Sequence, residues 1–287
     1  MKRLLLPEHS MDSNPDQSTV ASFGDEWSRF DQQAMSQQEA HRRFLEYFGN
    51  FPWHDLPTNA EGFDMGCGSG RWARFVAPRV GRLHCIDPSI DALSVARQVL
   101  ADNDNLVFHK ASVAASGLAL ASQDFGYSLG VLHHVPDTAA AIRSCSDLLK
   151  PGAPLLLYLY YSFDNRPAWF CALWRLSNLG RLIIHRLPPR SKQLITDLIA
   201  IFIYWPLARL ASFLESFNFP VDALPLSYYR SCSFYTMRTD ARDRFGTPLE
   251  KRFSRAEISK MLHAAGLTNL RFSTIAPFWC VVGFRAH

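Results

Sequence analysis

Three features of the chain predict an α/β fold built on a parallel sheet. Between residues 61 and 161, apolar runs of strand length alternate with amphipathic stretches of helical period, and that alternation implies a parallel sheet covered on both faces. The stretch "GFDMGCGSGRWARFV" (62–76) passes from a strand into a helix through Gly66, Gly68 and Gly70. Glycine there has an entropic cost, so a side chain would be in the way. Asp87, in "LHCIDPS", closes the second strand 19 residues after Gly68.

The N-terminal part, 1–60, reads as a helical cover. Residues 1–20 look frayed, with Pro7 and Pro15, and from 21 to 51 the pattern turns helical. Phe23, Trp27 and Phe30 fall at i, i+4 and i+7, and Phe44, Tyr47, Phe48 and Phe51 form a second stripe. The core then runs as strand 62–66, helix 70–80, strand 82–87, helix 89–102 and strand 105–109. It continues with strand 124–130, helix 137–149 and strand 153–161. It resumes at "SRAEISKMLHAAGL" (254–267), a helix with Ser254 as N-cap, Glu257 completing a capping box and Gly266 as stop signal. Two β-rich runs, 269–275 and 278–285, flank Pro277 and fit an antiparallel pair at the sheet edge.

Between 162 and 253 the alternation lapses, and this segment reads as a helical insert. "LIAIFIYWPLA" (198–208) is strongly apolar but eleven residues long, bounded by Asp197 and Arg209 and broken by Pro206. A spanning helix needs roughly 20 apolar residues, so no transmembrane segment is expected.

The composition, 48% apolar and 20% charged over 287 residues, excludes wholesale disorder and suits one large domain, or one domain and a cap. The formal net charge of +4 is uneven: residues 163–220 carry seven basic against three acidic side chains, and so hold the whole excess. The six cysteines are scattered without a CxxC pair, which argues against a zinc site or a disulfide framework and for a reducing cytoplasm. The apolar run of "MKRLLLPEH" is too short for a signal peptide.

Ligands of parallel sheets bind beyond the carboxyl ends of the strands, near the point where strand order reverses. The loop here follows G-x-G-x-G; Arg71 occupies the position of the last glycine in the dinucleotide fingerprint. Asp64 stands just ahead of the loop, poorly suited to a pyrophosphate and well suited to an ammonium group. Asp87 sits where an acid accepts hydrogen bonds from a ribose diol. Together they point to a nucleoside with a cationic, amino-acid-like tail.

At these residues the chain resembles the class I S-adenosylmethionine-dependent methyltransferases. "DMGCGSG" is similar to the family's first motif, "CIDPS" to its acidic second-strand motif, "DFGYSLGVLHHVPD" (124–137) to the fourth-strand motif and "LLKPGAPLLLYLYY" (148–161) to the stretch ending strand five. The resemblance covers 61–161 well and 254–285 in outline. It implies a Rossmann-like, seven-stranded, mostly parallel sheet with N-terminal helices and a helical insert after strand five. It also implies methyl transfer from S-adenosylmethionine, leaving S-adenosylhomocysteine. Carried over residue by residue, Gly66, Cys67, Gly68 and Gly70 would let the backbone approach the cofactor, with Asp64 near its amino group. Asp87 would hold the ribose hydroxyls, Pro88 and Ser89 would flank the adenine, Ser112 and Val113 would meet its edge, and Gly130 and Val131 would lie along the methionine arm.

The methyl acceptor then belongs above strands four and five. His133 and His134 lie close to that edge and are of the right type to take a proton; the plainer reading makes them part of the turn into the next helix. No metal site is expected. Tyr158 and Tyr160 share one face of strand five, with Tyr161 on the other. Tyr160 joins the histidines as a catalytic candidate. Tyr158 and, from the segment 226–246, Tyr228, Tyr229, Arg230, Tyr235 and Arg238 are the candidates for the acceptor pocket. The expected acceptor is a small, partly hydrophobic organic molecule (a specialised metabolite, a lipid-linked intermediate or an envelope sugar), with oxygen the first choice of acceptor atom and nitrogen or carbon the next. Three rival readings are a nucleic-acid methyltransferase, an inactive partner subunit that binds the cofactor or its product, and a nicotinamide-dependent enzyme, which the glycine spacing disfavours. Against the first, the basic residues interleave with aliphatics and "GVLHH" replaces a base-flipping motif, so no nucleic-acid partner is expected. For 162–220, a peripheral contact with anionic membrane stands beside a plain helical cap with its arginines outward.

Overall fold

Residues 18–20 and 35–287 are described by a computed structural model. The stripe of Phe23, Trp27 and Phe30 lies outside the described residues. Residues 18–20 are helical and Thr19 is buried, so these three do not fit the frayed reading of 1–20, the rest of which lies outside the described residues. Phe44, Tyr47 and Phe48 of the second aromatic stripe lie on helix α1 (Gln37–Phe48), with Phe51 just past its end; the helix is capped by Ser36, whose side chain accepts from the Glu39 N–H.

Strands β1 (Glu61–Met65), β2 (Arg82–Asp87), β3 (Leu106–Lys110), β4 (Phe125–Leu129) and β5 (Pro154–Tyr158) are parallel. β6 (Leu267–Phe272) and β7 (Cys280–Arg285) are antiparallel to each other, and β7 is antiparallel to β5. The order β3-β2-β1-β4-β5-β7-β6 gives the seven-stranded sheet expected, with β6 at the edge. The chain winds outward from β1 to β3 and then from β4 to β5, so strand order reverses between β1 and β4. Helices α2 (Ala73–Val76), α3 (Ile90–Val99) and α4 (Thr138–Leu148) connect the strands. The helix expected at 70–80 shrinks to α2 plus a 3-10 turn at Ala77–Arg79, since Pro78 has no N–H to continue it.

Alternation along the strands feeds two cores. Leu83, Cys85, Phe125 and Tyr127 face α1, α2 and α3, while Phe63, Ile86, Leu155 and Leu157 face α4 and helix α9 (Arg255–Ala264). The Ser254–Glu257 capping box on α9 is present.

The insert is helical, as expected, with one correction. Helix α5 (Ala168–Ile184) is followed by α6 (Pro189–Ile199), which runs through a π-helical turn (Ala200–Tyr204) into α7 (Trp205–Ser216). Pro206 does not break this helix: the wide turn before it absorbs the missing donor. The continuous element, Pro189–Ser216, is 28 residues long and, by length and composition, apolar enough to cross a membrane. Its inner face, including Ala200, Tyr204 and Ala208, packs on Met237 and Ala241 of helix α8 (Phe234–Gly246).

Candidate active site

The carboxyl ends of β1 to β5 and the insert enclose a cavity of about 700 Å³. Its floor is the glycine loop. Gly66 and Cys67 both donate backbone N–H groups to Ile86 O, at 2.7 and 3.1 Å, which pins the loop to the end of β2. Gly66 has φ +82°, and a Cβ there would meet the Val131 side chain at 2.4 Å. Only glycine gives both the conformation and the space.

Asp87 lines this floor. Its Oδ2 accepts from Gly68 N–H and its Oδ1 from Ser89 N–H, both at 2.9 Å. A carboxylate has about four acceptor sites, so each oxygen retains capacity toward the cavity. Burial pushes the Asp87 carboxyl up to about 6 against the pull of those two hydrogen bonds. The wall above contains Gly66, Cys67, Gly68, Pro88, Ser89, Ser112, Val113, Gly130 and Val131, so nearly all of the cofactor-binding residues expected from the sequence share one surface. A Cβ on Gly130 (φ +78°) would meet no protein atom within 4 Å.

Two expected residues stand behind that surface. Asp64 is 1% exposed and is not part of the wall; its Oδ2 is buried without a hydrogen-bond partner among the described residues. Burial, opposed by the neighbouring Tyr127 side chain and aided by Asp87, pushes its carboxyl up to about 8. A neutral acid behind the loop presents no charge to the cavity, which corrects the expected contact with an ammonium group. Gly70 faces helix α3: a Cβ would meet Leu100 Cδ1 at 2.6 Å, so this glycine lets α3 close on the loop.

The wall also holds two arginines that the sequence reading did not single out for the site. Arg43 of α1 is buried in it and Arg71 is half-buried, and Arg43 reaches Asp240 at 3.4 Å. Arg43 Nε and Nη1, and Arg71 Nη2, are buried atoms with no hydrogen-bond partner among the described residues. Buried guanidinium donors left over in a cavity suit a carboxylate.

Over the ends of β4 and β5 lies a polar group. His134 Nδ1 is 2.6 Å from Leu249 O. A carbonyl only accepts, so Nδ1 carries the proton and Nε2 is the basic nitrogen. Nε2 lies 3.9 Å from Asp243 Oδ1. Tyr160 donates its hydroxyl to Asp243 Oδ2, and Thr247 donates to Oδ1 at 3.3 Å. Burial raises the Asp243 carboxyl against the pull of His134 and the Tyr160 hydroxyl. His134, Tyr160 and Asp243 all line the cavity. Beside them Glu250 accepts from Arg244 and Arg252, each at 2.9 Å; burial would raise its carboxyl, but the two arginines hold it below its usual value.

His133 is a correction. It is fully buried outside the wall, stacked on the Tyr160 ring at 3.8 Å, with Nδ1 accepting from Tyr160 N–H at 3.4 Å. Burial, His134 and Arg252 push its pKa well down, so it positions Tyr160 as a neutral ring. Tyr158, Tyr228 and Tyr229 line the cavity as expected, and so does Tyr161, because the chain leaves the strand after Tyr158 and strict alternation ends there. Arg230, Tyr235 and Arg238 do not line it. Arg230 pairs with Glu215 and Asp222, and Arg238 binds both oxygens of Asp197 at 2.9 and 2.8 Å. The pocket-candidate segment 226–246 holds the regular helix α8, which turns Thr239, Asp240 and Asp243 toward the cavity and Tyr235 and Arg238 away.

A family model described as "Methyltransferase domain" matches residues 63–157. The ubiquinone biosynthesis O-methyltransferase of Sodalis glossinidius (strain morsitans) is 31% identical over 140 residues, 47% of this chain and 53% of that protein. The protein of the same name from Xanthomonas axonopodis pv. citri (strain 306) is 30% identical over 145 residues, 50% of this chain and 58% of that one. The chain thus spans about half the length of the curated relatives it matches. The apo structure of the S-adenosylmethionine-dependent methyltransferase SibL is 14% identical, covers 86% of this chain and 56% of its own, and superposes with a TM-score of 0.52, a likeness of fold.

Proposed function

We propose that this chain, a member of the class I S-adenosylmethionine-dependent methyltransferases, transfers the methyl group of its cofactor to an oxygen of a small, partly hydrophobic acceptor. One observation carries the reading: the Asp87 floor and the His134–Asp243–Tyr160 group line a single continuous cavity. The insert roofs that cavity without filling it, which speaks against an inactive partner subunit.

The residues present fit the cofactor. Asp87 has spare acceptor capacity for a ribose diol, and the open space over Gly130 leaves room for the methionine arm. Arg43 and Arg71 have donors to spare for its carboxylate. When bound, the cofactor supplies a sulfonium methyl, an electrophile that needs little activation. The chain's own task is to place the acceptor oxygen in line, exclude water and remove a proton. His134 Nε2 takes that proton, and Asp243 stabilises the resulting imidazolium, while Tyr160 and Thr247 hold the Asp243 carboxylate in place. The aromatic walls, Tyr47, Tyr158 and Trp72 among them, suit both a cation and an apolar acceptor.

The test is turnover with labelled S-adenosylmethionine on phenols of increasing alkyl length, with amines as the control class. His134→Ala and Asp243→Asn should each lower kcat on a phenol by about 10²- to 10⁴-fold, the usual worth of a general base. Calorimetry should show unchanged cofactor affinity. Full turnover in both variants, or methylation confined to the amines, would refute the assignment.

A further inference from the structure

Among the described residues, the insert exposes apolar surface to a degree the rest does not. Of the 23 large apolar side chains exposed among the described residues, 17 fall between Trp169 and Phe219, so the exposure is a property of α5, the 189–216 helix and the turn that follows it. Patches of this extent mark contacts with another apolar phase.

The cavity opens on this same face. Four residues of its wall are themselves exposed: Leu173 and Leu176 on α5, at 47% and 65%, and Ile203 and Leu207 on the long helix, at 47% and 37%. Every other described residue of the wall is buried or half-buried. The mouth therefore lies between the two helices and has an aliphatic rim. Beyond the rim the apolar face continues through Leu179 and Ile183 on one side and Phe202, Leu210 and Phe213 on the other.

Charge selects among the surfaces that could cover it. Exposed Arg175, Arg186, Arg190 and Arg209 belong to these helices and the turn that joins α5 to α6. A second copy would set these arginines against their own kind, whereas an anionic headgroup layer neutralises them. Trp169 and Trp205, each about half exposed, have the amphipathic ring that settles at headgroup depth. The inner face of the long helix is fixed on α8, so the element lies along the protein surface instead of projecting from it.

We propose that this face docks on an anionic lipid bilayer and that the acceptor enters the cavity from the lipid phase. The entry route rests on the methyl-transfer reading above; the docking does not.

Flotation of the full chain with vesicles tests the docking. The protein should float with phosphatidylglycerol–phosphatidylcholine vesicles, less with phosphatidylcholine alone, and less again at high salt, which screens the arginines. Ile183→Glu with Phe202→Glu changes two exposed side chains outside the cavity wall, so calorimetric cofactor affinity should be kept while the floating fraction falls at least tenfold. On the entry route, this double variant should still methylate a short, water-soluble phenol at the wild-type rate and lose the long-chain phenol carried in vesicles. Wild-type protein remaining at the bottom of the gradient with both vesicle types would overturn the docking, whether a second copy or the chain's own first residues cover the face. So would flotation of the double variant. Flotation without turnover on either phenol would overturn the entry route and the methyl-transfer reading, and leave the docking standing.

Discussion

Replacing Asp64 by Asn should stabilise the ligand-free protein, and by more as the pH rises. The Asp64 carboxyl is 1% exposed and pushed from 3.8 up to about 8, with burial the main cause. Between those values the folded chain holds a proton that the unfolded chain has released. Stability therefore falls with pH by about 1.4 kcal/mol per unit through that window. The sign is the reverse of a salt-bridged aspartate: the penalty is absent below about pH 4 and complete above about pH 8. At pH 7 it amounts to on the order of 4 kcal/mol, a large share of a typical folding free energy. Asparagine keeps the shape and removes the titration. Urea unfolding of wild type and Asp64→Asn between pH 4 and pH 8 gives the assay. The two stability curves should diverge steadily, the variant being the more stable at the high end. Parallel curves across that range would mean that Asp64 is ionised in the folded protein, and the account of a neutral acid behind the loop would fail.

Two further outcomes follow from the loop. Asp87→Ala should weaken S-adenosylmethionine binding about 100-fold or more, the scale of two hydrogen bonds to a charged group, and in wild type calorimetric affinity should decline below about pH 6 as that carboxyl protonates. Unchanged affinity in the variant would remove Asp87 from the site. Gly70→Ala should lower stability by roughly 2–4 kcal/mol, from a positive φ of +80° and a clash with Leu100, read as a shift of the urea midpoint; a shift under about 0.5 kcal/mol would show that α3 does not depend on close approach there.

The sheet was legible because its signals are local. The bounds expected for β2, 82–87, are those observed, and the capping box marked the start of α9 from four residues. The cofactor floor was legible for the same reason: its residues follow strand ends in chain order, so spacing alone brings them together. Where local rules misled, a neighbour overrode them. Pro206 reads as a helix breaker, and a π-helical turn just ahead of it carries the helix through. Helix α8 buries Thr236, Thr239 and Arg242 along with Met237 and Ala241, so it lacks the clean apolar stripe by which a helix's bounds and inner face are recognised.

The acceptor side of the cavity is of another kind. His134 is oriented by Leu249, 115 residues away, and Tyr160 is bonded to Asp243, 83 residues away. Nothing in the "LHHVPD" turn distinguishes the two histidines; the difference comes from what the insert lays over them. His134 meets a carbonyl and a carboxylate, whereas His133 meets the Tyr160 ring and backbone. Arg43 would pass for a surface residue of α1 until Asp240, 197 positions on, closes over it. The cofactor half of the site is thus written along the sheet and the acceptor half only in the packing of the insert. Changes to the insert can therefore alter which acceptor is held, or how it arrives, while the residues around Asp87 stay as they are.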